Sequence, residues 1–423
     1  MQKILMFNKR NYTLEILLIF ILFVQNIKCQ TIYDSVEIKI YPFINYELNL
    51  IERADSSVTY QKFLNKLDSL LKHKNSKLNI VHFGGSHIQA DIYTDYIRYH
   101  LQNDSSKIKG ARGMIFPYKT AKTNNPVNYT VYNTGNWKGC RNALAKNDCN
   151  WGVTGINAST SDSIASISIA SANKFEKLFI ENIKIFYNLH CSTHKLKLDY
   201  PQTIKSLNVD SIGGFIEFNL TAPVDSFSFS IQKNTVDSIP FEIYGILLEN
   251  NRPGVRYHAM GVNGAKTSSF NRSLMLEHQL KYLYPDLAIL SLGTNDTHDS
   301  SFTAENYFNS YDTLIQAIKR VNPNVAIIIT VPNNSYIRKN NENKNLAAAE
   351  QVIKDLCVKH DAVYWNFYRI MGGPKSALQW YRSGIMKKDL VHFNREGYFI
   401  KGDLFYKALM ISYKNYVERT SSK

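Results

Sequence analysis

The sequence predicts a three-layer αβα domain built on a parallel sheet and interrupted by an inserted β-sandwich. Three patterns carry that reading. In the flanking parts of the 423-residue chain, short apolar runs alternate with helical stretches, as in a parallel sheet covered on both faces. A central block, about 125–250, instead holds short strands at regular spacing. The stretch between Ser86 and Gly264 is also far longer than one helix needs to join neighbouring strands.

Taken in order, Lys3, Lys9 and Arg10 precede the apolar run 14–24. A basic start before an apolar core too short to span a bilayer comfortably reads as a secretory signal peptide over 1–29. The mature chain is then expected outside the cytoplasm, in the periplasm or beyond the cell. Cys29 offers a rival reading as a lipid anchor, although Asn26-Ile27-Lys28 lacks the small residues such a site prefers. Membrane association is expected only if Cys29 is lipidated.

Residues 78–83 read as a buried strand ending at Gly84-Gly85, and 91–101 as a helix with Asp91 as its cap. Short strands are expected at 128–133, 163–169, 178–187, 194–198, 214–220, 226–231 and 241–248, a jelly-roll-like sandwich over 125–250. Its aromatics Tyr129, Tyr132, Trp137 and Trp151 could stack on sugar rings or fill the core, and most such rings fill cores. Strands at 255–260, 287–292, 325–331 and 362–367 then alternate with helices at 265–282, 304–321, 345–360 and 395–416. Residues 50–124 and 251–420 thus form one discontinuous αβα domain with a parallel sheet of about five strands.

Four islands carry chemistry. Ser86 follows Gly84-Gly85 at a strand-to-helix turn, where main-chain N–H groups favour developing negative charge. Gly264 ends the turn after 255–260, and glycine lets a main-chain N–H approach a substrate oxygen. Asn295 follows the strand 287–292 at the same sheet edge, where ligands of open parallel sheets bind, and its amide can donate to an oxyanion. Asp389 and His392 lie three apart in a loop, so the carboxylate can orient one ring nitrogen while the other faces the serine. Each island alone has a plain alternative: a turn, a cap or a surface loop. In this order they supply the nucleophile, base, orienting acid and donors of acyl transfer. Arg112, between Gly110 and Gly113, could meet an anionic substrate group or an acidic side chain. His87 is a possible substrate contact beside Ser86.

These islands resemble the four sequence blocks of the SGNH (GDSL-type) hydrolases. The resemblance implies a flavodoxin-like αβα fold. It also implies Ser86, His392 and Asp389 as catalytic triad, and the Ser86 N–H, Gly264 N–H and Asn295 side chain as oxyanion hole. The stretch 84–91 looks most like secreted bacterial members that include peptidoglycan O-acetylesterases, some of which carry an inserted carbohydrate-binding-like sandwich. Gly85 departs from the family, which usually has Asp there.

The implied activity is hydrolysis of acyl esters, O-acetyl groups first among them, on a cell-envelope or other glycan. The rivals are a glycan O-acyltransferase using the same triad and a non-catalytic carbohydrate-binding envelope protein. No cofactor is expected, and no Cys/His spacing matches a metal site. The formal charge of +15 comes from 50 basic and 35 acidic residues. The lysines are spread along the chain, and a secretion signal argues against a nucleic-acid partner. Of the five cysteines, Cys140 and Cys149 are close enough to form a disulfide in an exported chain. Cys357, on an expected helix, reads as a buried thiol.

Overall fold

In a computed structural model, residues 37–105, 110–172, 178–189, 194–234 and 239–422 are described. The expected signal segment with Cys29, and Cys191, lie outside the described residues. A six-stranded sheet runs in the order Ile51–Glu52, Val363–Trp365, Ala326–Thr330, Leu287–Ser291, Lys77–Gly84 and Gly254–Gly261. All neighbours are parallel except the short first strand, which pairs antiparallel with Val363–Trp365. That edge strand is the one the sequence does not announce, because two residues carry no periodicity.

Period-two alternation sorts side chains into the two outer layers. Leu78, Ile80, Ile289 and Ile328 pack with the helices Val58–His73, Tyr93–His100 and Arg395–Ser421. Val81, Phe83, Leu290, Ile327 and Ile329 face the opposite way, toward Ala304–Val321 and Leu346–Lys359. Side-chain caps start three of these helices: Ser57 accepts from the Tyr60 N–H, Thr303 from Asn306 and Asn394 from Gly397. Each cap contributes about 1 kcal/mol.

Residues 265–282 depart from the single helix the sequence predicts. They form two pieces, Thr267–Asn271 and Leu276–Leu283. The break has a physical cause at Arg272, whose guanidinium binds the carbonyls of Asn142, Leu144 and Asn147, while the Met275 N–H turns to the Trp151 carbonyl. The clamped loop is also closed by the Cys140–Cys149 disulfide. Cys357 is buried and free.

Between the first and second parts of the parallel sheet lie two antiparallel sheets. One orders Tyr129–Thr134, Ile164–Ser171, Ser226–Lys233 and His194–Leu198. The other includes Ile180–Tyr187, Phe215–Val224 and Phe241–Glu249, plus the strands Lys138–Arg141, Ile156–Thr160 and Ile204–Asp210. Gly113–Ile115, upstream of 125, joins this sheet through Ile246, Leu247 and Leu248. One hydrophobic cluster runs from Phe229 and Ile167 in the sandwich to Phe83 and Leu290 in the parallel sheet. Residues 38–423 accordingly form a single compact unit. Among the described residues no helix is long and apolar enough to cross a membrane.

Candidate active site

The strand Lys77–Gly84 lies between Leu287–Ser291 and Gly254–Gly261, with Phe83 in register with Leu290 and Met260. Three chain reversals therefore leave the same sheet edge, carrying Ser86, Gly264 and Asn295. Ser86 opens a one-turn helix, Ser86–Gln89, whose start is closed by the main chain: the Gly85 carbonyl accepts from the N–H groups of Ile88 and Gln89 at 3.1 and 3.0 Å. The turn thus holds with no side chain at position 85. Gly84 has no room for one either, since a Cβ there would lie 2.2 Å from Ile88 and 2.9 Å from the Ser291 carbonyl.

The structure brings Ser86, His392 and Asp389 into one hydrogen-bonded line. Ser86 Oγ lies 2.7 Å from His392 Nε2, and His392 Nδ1 lies 2.8 Å from Asp389 Oδ2. The other carboxylate oxygen accepts from the main-chain N–H groups of Val391 and His392, both at 2.9 Å. Partial burial works against ionisation of Asp389, but these bonds outweigh it and hold its carboxyl below the usual carboxylate range. A charged acceptor on Nδ1 fixes the tautomer that leaves Nε2 free to take a proton.

Asn295 sits against the nucleophile turn: a Cβ on Gly85 would come within 3.2 Å of its Nδ2. That nitrogen donates one hydrogen to the Ala265 carbonyl at 2.9 Å, which aims the amide and leaves its second hydrogen for a ligand. Gly264 has φ +84°, the left-handed region that favours glycine, and a side chain there would meet nothing closer than Ala143, 3.9 Å away. Asp296, which follows Asn295, is buried and accepts from the Thr267 N–H, and burial pushes its carboxyl up to about 6.

Arg112 and His87 are both placed inside the fold and not on an open rim. Arg112 is ion-paired with buried Asp91, which also binds Arg98 and the Asn128 amide. Burial raises the cost of charge on Asp91, yet the two guanidinium groups keep its carboxyl low. Asp91 is therefore a buried ionic hub at φ +47°, not the helix cap the sequence predicts. His87 is buried with Nδ1 3.0 Å from the Tyr398 hydroxyl. Of the four aromatics read as either core or sugar platforms, Tyr129, Trp137 and Trp151 are core residues, and Tyr132 is exposed beneath Lys119.

Sequence reasoning misses a polar network below the site. His82 contacts the Tyr257 hydroxyl at 2.6 Å and Ser291 Oγ at 2.7 Å, and Ser291 also receives the Thr330 hydroxyl. It also misses Gln89, whose amide ties Thr123 and Asn124 to the nucleophile helix while its oxygen accepts from Asn263. One signal was available for Lys401: it stands three positions after Tyr398 and four before Phe405, a lysine on an otherwise apolar helix face.

Residues 242–400 match the GDSL-like lipase/acylhydrolase family. Over that segment the chain is similar to the SGNH (GDSL-type) hydrolases. The match spans Gly264, Asn295, Asp389 and His392 and begins after Ser86, so the nucleophile joins the family site through the fold. Members are carboxylic-ester hydrolases, and that activity class extends to this chain. A solved structure of a peptidoglycan O-acetylesterase is similar over 86% of this chain and 97% of its own, at 21% identity and TM-score 0.70. Its likeness covers both the αβα part and the sandwich. A GDSL-like lipase from Bacteroides thetaiotaomicron is similar over 37% of this chain and 76% of its own, with 20% identity and TM-score 0.31. A carbohydrate esterase family 3 protein from Talaromyces cellulolyticus covers 38% and 72%, with 17% identity and TM-score 0.29. Comparison with curated proteins finds no match. Among the described residues no group of side chains could hold a metal ion.

Proposed function

We propose that this chain is an exported serine esterase that removes O-acetyl groups from a cell-envelope glycan. The observation that carries the reading is the continuous line Asp389–His392–Ser86. In it Ser86 Oγ attacks the ester carbonyl as His392 Nε2 takes its proton. The oxyanion is held by the Ser86 and Gly264 N–H groups and the Asn295 amide. His392 then protonates the departing sugar hydroxyl, leaving an acyl group on Ser86. Water attacks that acyl-enzyme, gives its proton to His392 and releases acetate as Ser86 recovers the proton.

The choice of a glycan ester leans on the two-part architecture shared with the peptidoglycan O-acetylesterase, and export leans on the expected signal segment. The test is acetate release from O-acetylated peptidoglycan and from O-acetylated xylan by the purified protein and by Ser86→Ala. Release from peptidoglycan that vanishes in the variant supports the reading. Release from xylan alone moves the substrate elsewhere, and equal release by both proteins rules out the serine mechanism.

A further inference from the structure

His87 adjoins the nucleophile in sequence and the base in space. Its ring centroid lies 5.2 Å from that of His392 at 38°, with Phe393 and Tyr398 each 5.7 Å away. Nδ1 is fixed by the Tyr398 hydroxyl, whereas Nε2 is buried with no hydrogen-bond partner. Leaving such a nitrogen unsatisfied costs stability.

Its surroundings also decide its charge. Burial comes first, then the positive charge of Lys401, then His392 and Lys387, and together they push the His87 ring well below the usual imidazole range. Lys401 Nζ lies 4.6 Å from the Phe367 ring centroid, 4.9 Å from Tyr93 and 5.7 Å from Phe393, and no carboxylate pairs with it among the described residues. Next to the base there is thus a ring that stays neutral while His392 cycles between imidazole and imidazolium.

We propose that His87 is a positioning residue that braces the imidazole of His392 and offers its neutral ring to the imidazolium formed in each proton transfer. Asp389 fixes one ring nitrogen of His392 and Ser86 meets the other, but the Ser86 bond is broken and remade in each proton transfer. A packed neighbour against the ring holds it in place through that exchange. A neutral π-system beside a forming cation is favourable, and a second cation in the same place would repel it. The inference rests on the triad reading above.

The test uses the rate at which a fluorophosphonate labels Ser86, because labelling needs only the serine and its base and no particular ester. His87→Ala should slow labelling ~10–100-fold, the range expected when a catalytic group is misplaced by a fraction of an ångström to an ångström. On acetyl esters kcat should fall by the same factor while KM holds. His87→Phe restores the ring without the Tyr398 bond and should recover most of the loss. Should His87→Ala label like wild type, or raise KM with kcat unchanged, the brace is wrong. If His87→Ala does not fold, a folded His87→Phe that labels as slowly as Ser86 without its base overturns it equally. Normal wild-type labelling with no acetate release from any glycan would instead overturn the proposed substrate and leave the brace standing.

Discussion

The sandwich buries Val131, Ile167, Ile169, Phe227, Phe229 and Ile231, side chains with no hydrogen-bonding group. Below Ser86, the parallel sheet and the helix Arg395–Ser421 bury His82, Tyr93, Tyr257, His87, Tyr398 and Lys401. One region gains stability from transfer of apolar surface out of water. The other bears the cost of desolvated polar groups, offset by mutual hydrogen bonds and by the rings around the Lys401 amine, which burial pushes down to about 7. Both belong to one compact unit. The difference teaches that stability and reactivity are sited apart here, and substitutions in the two regions should therefore fail in different ways.

The sharpest contrast is expected at the nucleophile. Ser86→Ala should lower acetyl-ester turnover by ~10⁴–10⁶ and abolish fluorophosphonate labelling, because it deletes the attacking atom. His392→Ala should do nearly as much. Urea unfolding of Ser86→Ala should match wild type, since the hydroxyl's one partner is the half-exposed His392. A large loss of stability in that variant would erase the separation between the regions.

Asn295→Ala comes next, with an expected loss of ~10²–10³ in kcat and little change in KM, because its free amide hydrogen matters when the oxyanion forms. The variant also frees the Ala265 carbonyl from its 2.9 Å bond. A rise in KM equal to the loss in kcat/KM would show that the amide binds substrate and transition state alike.

Phe229 is fully buried in the sandwich, in register with Ile167 and Leu198. Phe229→Ala should cost about 3–5 kcal/mol of stability through lost transfer energy and the cavity left behind. The folded fraction should keep wild-type kcat. Since one cluster links Phe229 to Phe83 and Leu290, the midpoint of a single unfolding transition should move. Two resolved transitions would mean that the sandwich unfolds by itself.

The legibility of the two regions differs for a related reason. The site residues can be read because each stands in a local motif: Gly84-Gly85-Ser86 and Gly293-Thr294-Asn295 at the ends of apolar runs, and Asp389-Leu390-Val391-His392 in a loop before the last helix. Most sandwich strands are legible from alternation, while Lys138–Arg141, Ile156–Thr160 and Ile204–Asp210 are too weakly alternating to stand out. The network beneath the site is not legible. His82, Tyr257, Ser291 and Thr330 are single letters in four strands, and only the register of the parallel sheet brings them together. Nor can sequence show the break at Arg272, whose cause is a set of carbonyls in a distant loop.

Asp296 tests whether polar burial near the site has a measurable cost. Burial raises its folded value to about 6 from an ordinary 3.8. A raised carboxylate contributes stability that is present below the unfolded value and is lost as pH rises through the folded one. Wild type should therefore lose roughly 3 kcal/mol between about pH 4 and pH 7 from this group. Asp296→Asn keeps an acceptor for the Thr267 N–H without the charge. It should be the more stable protein at pH 8, with the advantage fading toward pH 4. A pH-independent difference in urea midpoint would mean that the carboxyl is not the source.

The smallest effect is expected where the sandwich meets the sheet, in the loop closed by Cys140 and Cys149. Replacing both cysteines by alanine should cost about 2.5–3 kcal/mol, the closure entropy of a loop of this length in the unfolded chain. Arg272 grips the same loop, but it acts in the folded state through the carbonyls of Asn142, Leu144 and Asn147. The two devices work on opposite sides of the folding equilibrium, so their losses should add within ~0.5 kcal/mol in a variant lacking both. Turnover should change little with the disulfide gone, because the Arg272 clamp still holds the loop that carries Ala143, which a side chain on Gly264 would meet at 3.9 Å. Removing Arg272 as well should loosen that turn and lower kcat through its N–H donor. If the cysteine variant alone loses activity while Arg272 is intact, the disulfide belongs to the site's region of the molecule, and the division between the two regions must be redrawn there.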